Sequence, residues 1–255
     1  MLRGCPIGYR LPEGSIAAAT TQTESPAIGV APLLELDAEL GDSLPPPLRL
    51  EAERELAARM TTLEPGDSGV ELFGTGLFCA LIVEGALARR TSTQRGRSLE
   101  LLVKGDLLRP WQEDSGWVVE STIEPLVETR LAVLDDSGLQ VLCKFPAVLE
   151  ALLERAFRRI RGAATQAAFD SRAGMDQRVL FSLWHLADRC GEPAGDSRLI
   201  PLPLTHQMIA DLVGAQRTSV SAAISRLATA GMLSRTEQRG WLLHPESSRT
   251  LPARR

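Results

Sequence analysis

The stretch Leu204–Ala230 constrains the fold of this chain most, because its apolar residues follow the period of an α-helix twice in succession. Thr205 stands at the N-cap position of the first run. Between the runs lies Gly214, which tolerates the positive φ of a sharp turn. The sequence therefore predicts two short helices joined by a tight turn. Their apolar positions are Ile209, Leu212 and Val213, then Val220, Ile224 and Leu227.

The outward side of the second helix predicts contact with DNA. Hydroxyl and arginine side chains donate hydrogen bonds to phosphates and base edges, and no carboxylate on this side would repel the phosphates. Residues 217–230 also lack the Glu–Lys pairs, four residues apart, that are typical of an ordinary surface helix. A plain helical hairpin inside a core remains the alternative. The outward residues are Arg217, Thr218, Ser219, Ser221, Ala222 and Arg226.

Residues 202–235, LPLTHQMIADLVGAQRTSVSAAISRLATAGMLSR, resemble the cyclic-AMP receptor/FNR family of bacterial transcription regulators, whose C-terminal domain is a winged helix. The resemblance implies that Arg217 reads a guanine in the major groove. It also implies that Thr205, His206 and Gln207 hold phosphates. The family often has an acidic residue at the position of Thr218 and a second arginine at that of Ala222, so its usual half-site is not implied here.

Charge is distributed unevenly along the chain. Residues 1–170 hold 17 Arg/Lys and 25 Asp/Glu, whereas residues 171–255 hold 11 and 7. Because phosphate neutralisation needs a local field, a basic C-terminal part is compatible with nucleic acid despite the net charge of −4. Chance clustering of charge is the alternative.

The 255 residues suffice for two domains. No apolar run reaches the roughly 18 residues that span a bilayer, and no signal pattern opens the chain, so we expect a cytoplasmic protein without a membrane partner.

The cysteines are too dispersed to ligate a metal or the iron–sulfur cluster of some family members, and we expect reduced thiols. They are Cys5, Cys79, Cys143 and Cys190.

Residues 1–60 are predicted to be a leader, much of it flexible. The stretch up to Pro32 is rich in Pro, Gly, Ala and Thr. Three prolines at Pro45–Pro47 are expected to lie outside any helix or central strand. Leu48–Met60 could form a short helix rich in charges.

Residues 61–144 show short β-prone runs separated by glycine turns, which predicts a β-roll or jelly roll. The segments CALIVEGALARR and GRSLELLVKGDLLRPW resemble the cyclic-nucleotide-binding domain of the same family. The predicted strands are Val70–Phe73, Leu77–Val83, Ala86–Arg90, Leu99–Val103, Val118–Val119 and Leu131–Leu134.

The resemblance places an effector site after the fourth of these runs. Asp106 could bind a ribose hydroxyl, but the family's Arg-Ser/Thr-Ala tail is missing after it. The positions that hold adenine in cyclic-AMP binders fall on Ala163 and Ala164. These departures argue against a cyclic nucleotide and leave another effector, or none; no cofactor is assigned. Trp111 and Trp117 could line an altered pocket or pack in the core. The candidate effector residues are Gly105, Asp106, Leu107, Leu108 and Arg109.

Residues 145–170 predict a long helix, opened by a proline in its first turn. Apolar residues at alternating spacings of four and three indicate a coiled-coil seam, hence a homodimer with two recognition helices about 34 Å apart. Burial of this stripe on the chain's own β-domain is the alternative. Arg155, Arg158, Arg159 and Arg161 are expected to form a solvated face, and Phe169–Gly174 a hinge. The seam residues are Leu149, Leu153, Ala156, Ile160, Ala163 and Ala167.

The C-terminal part completes the predicted winged helix. Cys190–Ser197 is expected to be a loop and Leu199–Leu204 a strand that pairs with the wing. In the wing, Arg235 and Arg239 could reach phosphates. The tail after Pro245 is expected to fray.

Together these patterns predict an α+β protein with four parts: a leader (1–60), a β-roll (61–144), a dimerisation helix (145–170) and a winged helix-turn-helix (171–250). The predicted function is that of a sequence-specific, homodimeric transcription regulator that places residues 217–229 in the major groove of double-stranded DNA. RNA polymerase would be a further partner of an activator. The rival is a ligand-binding sensor whose helix-turn-helix binds protein. An enzyme is not expected, since no catalytic or metal-ligand arrangement is present.

Overall fold

The computed structural model describes residues 29–67, 77–93, 96–109, 120–170 and 173–249. The strands are β1 (Val30–Pro32), β2 (Ala57–Leu63), β3 (Leu77–Glu84), β4 (Ala86–Thr93), β5 (Gly96–Val103), β6 (Leu107–Leu108), β7 (Glu120–Pro125), β8 (Thr129–Asp135), β9 (Glu192–Ala194), β10 (Ser197–Ile200), β11 (Leu233–Arg235) and β12 (Trp241–Leu243). The helices are α1 (Leu33–Leu36), α2 (Pro46–Glu55), α3 (Asp136–Leu142), α4 (Pro146–Asp170), α5 (Met175–Cys190), α6 (His206–Leu212), α7 (Arg217–Thr229) and α8 (Pro245–Arg249), with a 3₁₀ turn at Ala38–Gly41.

Two antiparallel sheets form the β-domain, which comprises β1 to β8. One sheet has the strand order β1-β2-β8-β3-β6 and the other has β5-β4-β7. A core of aliphatic side chains from both sheets, including Ile82, Leu102 and Leu131, is fully excluded from solvent. This arrangement confirms the predicted α+β fold with an N-terminal β-roll. The predicted strands Val70–Phe73 and Val118–Val119 lie outside the described residues.

Residues 30–60 belong to this fold, so the prediction of a leader is wrong for them. Strand β1 pairs with β2 and extends the larger sheet, while Leu33 and Leu40 are buried in the same core as Leu152 of α4. The prolines were also misjudged, because α2 begins at Pro46. Prolines are tolerated there, since the first N–H groups of a helix have no partner within it.

Helix α4 starts at a proline, as predicted, and connects the two halves of the molecule. Two of its four arginines depart from the expected solvated face, whereas Arg158 and Arg161 are exposed as expected. The Arg155 guanidinium pairs with Asp37, with Nη2 and Oδ1 2.8 Å apart. Arg159 pairs with Glu100 at 3.2 Å and donates to the carbonyl of Leu107 at 2.6 Å. Both contacts tie α4 to distant segments of the chain, which spacing along one helix cannot indicate.

The winged-helix domain, residues 173–249, contains α5 to α8 and a four-stranded sheet of order β11-β12-β10-β9. Strand β10 pairs with the wing strand β12, although it ends at Ile200 rather than Leu204. Two expectations are wrong here: Cys190–Ser197 contains β9, and the chain after Pro245 continues as α8. Helix α8 is held because the indole N–H of Trp184 donates to the buried hydroxyl of Ser247 at 2.9 Å.

The winged-helix domain packs directly on the smaller β-sheet. Leu99 and Leu101 of β5 share one continuous core with residues of α5, α6 and α7. Two ion pairs cross the same boundary. Arg189 of α5 pairs with Asp106, and Arg90 of β4 lies 3.7 Å from Asp211 of α6. The two domains therefore form one packed unit.

Among the residues that the structure places, no helix combines the length and apolarity needed to cross a membrane.

Candidate nucleic-acid interface

The helix-turn-helix is built by local interactions. The Thr205 hydroxyl caps α6 by accepting the N–H of Met208 at 3.2 Å. Gly214 follows α6 with φ of 61°, a conformation that disfavours side chains with a Cβ. The N–H of Ala215 then bonds back to the carbonyl of Ala210 at 2.9 Å, which closes the turn before α7 begins. These features place α7 across α6.

The inner side of α7 is its apolar stripe. Val220, Ile224 and Leu227 are buried, as is Ala223 between them. They pack in the core that also contains Ile209 of α6. Burial of this stripe fixes which side of α7 faces away from the protein.

The opposite side of α7 is exposed and carries no carboxylate. Arg217, Thr218, Ser219 and Ala222 are exposed. Ser221 is half-buried at the edge of this surface, and its hydroxyl oxygen lies 3.0 Å from Nδ1 of His206. The surface therefore offers a guanidinium and short hydroxyls to a partner, which is the chemistry of phosphate and base-edge contacts.

Two further predicted DNA contacts, Arg226 and Gln207, are bound to carboxylates within the protein. The Arg226 Nε donates to Oδ2 of Asp176 at 3.0 Å, so this guanidinium joins α7 to the start of α5. The Gln207 amide donates to Asp211 at 2.7 Å. Reaching a phosphate from either residue would require exchange of these partners.

The wing lies beside the same surface. The Arg235 guanidinium sits 4.8 Å from the ring centroid of Trp241, a cation–π distance. Trp241 is itself fixed, because its indole N–H donates to the carbonyl of Leu204 at 3.0 Å. Arg239, in the wing turn, has a φ of 65° and is exposed. The wing thus presents two exposed arginines, and the ring of Trp241 supports one of them, Arg235.

His206 lies where helix and wing meet. Its ring is 5.9 Å from that of Trp241, and it contacts Ser221 as described. Burial lowers the pKa of His206, and the positive charges of Arg235 and Arg217 lower it further. The imidazole is therefore neutral near pH 7. A phosphate bound beside it would favour the protonated form.

Two of the candidate effector residues, Gly105 and Asp106, line a cavity between the β-domain and the winged-helix domain. The Asp106 carboxylate accepts the N–H of Val103 at 2.8 Å and pairs with Arg189. Burial raises the pKa of Asp106 above the usual value, although Arg189 opposes this shift. Leu108 is fully buried. We expected Asp106 to bind a ribose hydroxyl, but its carboxylate is already bound to protein groups. The sequence around Asp106 gives no indication that Arg189 is its partner.

The apolar stripe of α4 is shifted from the predicted seam. Leu153, Phe157 and Ile160 are 48%, 53% and 61% exposed, and they recur at spacings of four and three. The predicted positions Leu149, Ala156, Ala163 and Ala167 depart from this stripe. Leu149 packs on the β-domain, Ala156 is half-buried, and the last two line a cavity facing the winged-helix domain. Sequence reasoning missed Phe157, although the same spacing rule would have found it.

Comparison with known proteins bears first on the C-terminal part. Residues 177–247 match the family model of the Crp-like helix-turn-helix domain. No curated protein matches the chain in sequence.

Several solved structures share the fold. FixK2 from Bradyrhizobium japonicum is 20% identical, covers 78% of this chain and 98% of its own, and has a TM-score of 0.60. A cyclic nucleotide-binding domain containing protein from Listeria monocytogenes is 14% identical over 74% of this chain and 89% of its own, also with a TM-score of 0.60. The c-di-GMP responsive global regulator CLP of Xanthomonas campestris is 15% identical over 73% and 94%, with a TM-score of 0.54. Residues 177–247 therefore match a Crp-like helix-turn-helix domain, and these three solved structures, each at most 20% identical, share the overall fold of the chain.

Proposed function

We propose that this protein is a sequence-specific, DNA-binding transcription regulator that acts as a homodimer. The exposed side of α7 carries the proposal, because it joins a guanidinium to short hydroxyls without a carboxylate. The family match supports a DNA-binding transcription regulator in general. The geometry described above supports the choice of residues, the dimer and the groove as parts of this proposal.

In this proposal α7 enters the major groove and Arg217 reads a base edge. Arg217 lies in the first turn of α7, and its side chain has no ion pair with any residue placed by the structure. A free, planar guanidinium at the leading end of a recognition helix suits bidentate contact with guanine. Thr218, Ser219, Ser221 and Ala222 would meet the adjoining bases and phosphates.

Phosphate contacts would flank the recognition helix on two sides. Thr205, His206 and Gln207 lie at the start of α6, where the positive end of the helix dipole favours an anion. Arg235 and Arg239 extend the contact through the wing. Arg226 would contribute after releasing Asp176.

The proposed dimer forms along α4. The exposed stripe of Leu153, Phe157 and Ile160 gives a second copy of α4 an apolar surface to cover. A two-fold axis along this stripe would present two α7 helices to half-sites about one DNA turn, roughly 34 Å, apart. An activator of this design would also contact RNA polymerase.

Selection of bound sequences from random double-stranded DNA tests the proposal. We expect a consensus with two-fold symmetry and half-sites spaced by about one helical turn. An Arg217→Glu variant should yield no consensus, whereas Arg54→Glu, the same charge change on α2, should retain it. A consensus without symmetry would refute the dimeric mode, and absence of any enrichment at low salt would refute DNA recognition.

A further inference from the structure

A cavity of about 910 Å³ lies beside the contact between the β-domain and the winged-helix domain. Its walls come from β5 and the turn after it, from one side of α4, from α5, and from Val213 and Gly214 in the helix-turn-helix. Small-molecule sites usually have volumes of about 300–1,000 Å³. The cavity is therefore large enough for an organic molecule, and each of the two domains supplies part of its lining.

The floor of the cavity is apolar and its rim is basic. Accessible apolar surface comes from Leu212 of α6 and from Ala163 and Ala167 of α4, above the buried side chains of Leu101 and Val103. Six arginine or lysine side chains and four carboxylates line it, so positive charge is in excess. A ligand with an apolar body and a negative group would satisfy both features.

Among the residues that the structure describes, two of these cations have no acidic partner. Arg155, Arg159 and Arg189 are each bound to a carboxylate. In contrast, Lys104 and Arg158 form no ion pair with any residue in the described ranges, and both are exposed where they line the cavity. Lys104 lies on the turn after β5, and Arg158 lies on α4. They line the cavity from two different elements of the chain.

We propose that this cavity binds a small organic anion whose apolar part lies against Leu212, Ala163 and Ala167 and whose negative group meets Lys104 and Arg158. The further role of that anion as an effector rests on the proposed function. The Arg189–Asp106 ion pair lies in the same wall. A bound anion competes with Asp106 for Arg189, and so alters a contact that holds the winged-helix domain in place.

Binding is tested with 8-anilinonaphthalene-1-sulfonate, an aromatic anion whose fluorescence rises in apolar surroundings. Its uncharged counterpart, N-phenyl-1-naphthylamine, has the same rings without the sulfonate. We expect Lys104→Gln/Arg158→Gln to weaken sulfonate binding about tenfold while the neutral compound changes less than twofold. Arg161→Gln removes a positive charge from α4 outside the cavity and should change neither. Equal sulfonate binding by the double variant and the unaltered protein would overturn the proposal.

The effector role is measured separately, by the affinity of the protein for its selected DNA with and without saturating sulfonate. We expect a change of at least threefold that is lost in the Lys104→Gln/Arg158→Gln variant. Sulfonate binding without any effect on DNA affinity would refute the effector role. If the protein binds its selected DNA but no ligand binds in the cavity, this inference is refuted and the proposed function stands. If a ligand binds in the cavity but the protein selects no DNA, the proposed function is refuted.

Discussion

Replacement of Arg189 by glutamine should destabilise the whole chain through the carboxylate it leaves behind. The Arg189 guanidinium pairs with Asp106 and donates to the carbonyl of Leu101 at 3.2 Å. The side chain of Asp106 is 12% exposed, so its charge has little access to water. Glutamine can keep one hydrogen bond, but it supplies no positive charge. Asp106 would then remain as a buried, uncompensated anion.

The size of the effect follows from that burial. Removing one partner of a fully buried ion pair costs about 3–5 kcal/mol. Arg189 is 26% exposed, and water can partly replace it, so we expect a loss of about 2–3 kcal/mol at pH 7. The exposed pair Arg130–Glu84, with its partners 45% and 68% exposed, is the control, and Arg130→Gln should cost less than about 0.5 kcal/mol.

Urea unfolding measures these changes, because the core shared by the two domains should make them unfold together.

Burial already raises the pKa of Asp106, and loss of Arg189 raises it further. A raised acid pKa means that the charged form is the costly one. The deficit of Arg189→Gln should therefore be complete at neutral pH and shrink as the pH falls towards that raised pKa.

Asp106→Asn supplies the decisive second variant, since it removes the charge and keeps the shape. Combined with Arg189→Gln it should restore part of the lost stability, because no buried anion remains. If the double variant is no more stable than Arg189→Gln, and if the deficit does not depend on pH, the reasoning from an uncompensated Asp106 is refuted.

Three further predictions concern DNA binding and assembly. Arg217→Ala should cost about 1–3 kcal/mol on the selected site and relax its sequence preference, as measured by titration of matched and altered sites; equal losses on all sequences would show contact with phosphate rather than bases. DNA affinity should rise as the pH falls below neutral, because a phosphate favours protonated His206, whose pKa is lowered in the free protein; His206→Gln should flatten this dependence. Ile160→Lys should shift the protein from dimer to monomer in sedimentation experiments, whereas Leu48→Lys, on an exposed position of α2, should not; a dimer that persists in Ile160→Lys would contradict the α4 interface.

The helix-turn-helix could be predicted because its determinants are local. Thr205 caps the helix that follows it, and Gly214 provides the turn. The apolar period of α7 fixes its buried side without reference to the rest of the chain. For the same reason the outward residues of α7 could be named from the sequence.

The N-terminal segment could not be predicted in this way. Leu33 and Leu40 become core residues because the larger sheet and α4 lie against them, two elements that are distant in the sequence. Strand β1 is three residues long and is defined by its pairing with β2. Composition indicated a flexible leader, whereas tertiary contacts decided the outcome.

Charged residues were misjudged for a related reason. Asp176 lies 50 residues from Arg226, and Asp37 lies 118 residues from Arg155, so neither pair can be inferred from helical spacing. The register of the apolar stripe on α4 was also misjudged, although only in part. Its apolar residues permit more than one register, and the burial of Val148 and Leu152 against the β-domain selects the exposed one.

The core that spans β5 and the winged-helix domain has a thermodynamic consequence. If the winged-helix domain swings outward, Leu99 and Leu101 meet water, and so do the side chains of α5 and α6 that covered them. Exposure of apolar surface carries a positive heat-capacity change. The position of this domain should therefore shift with temperature as folding equilibria do, so that the contact which restrains it also makes its release responsive to heat.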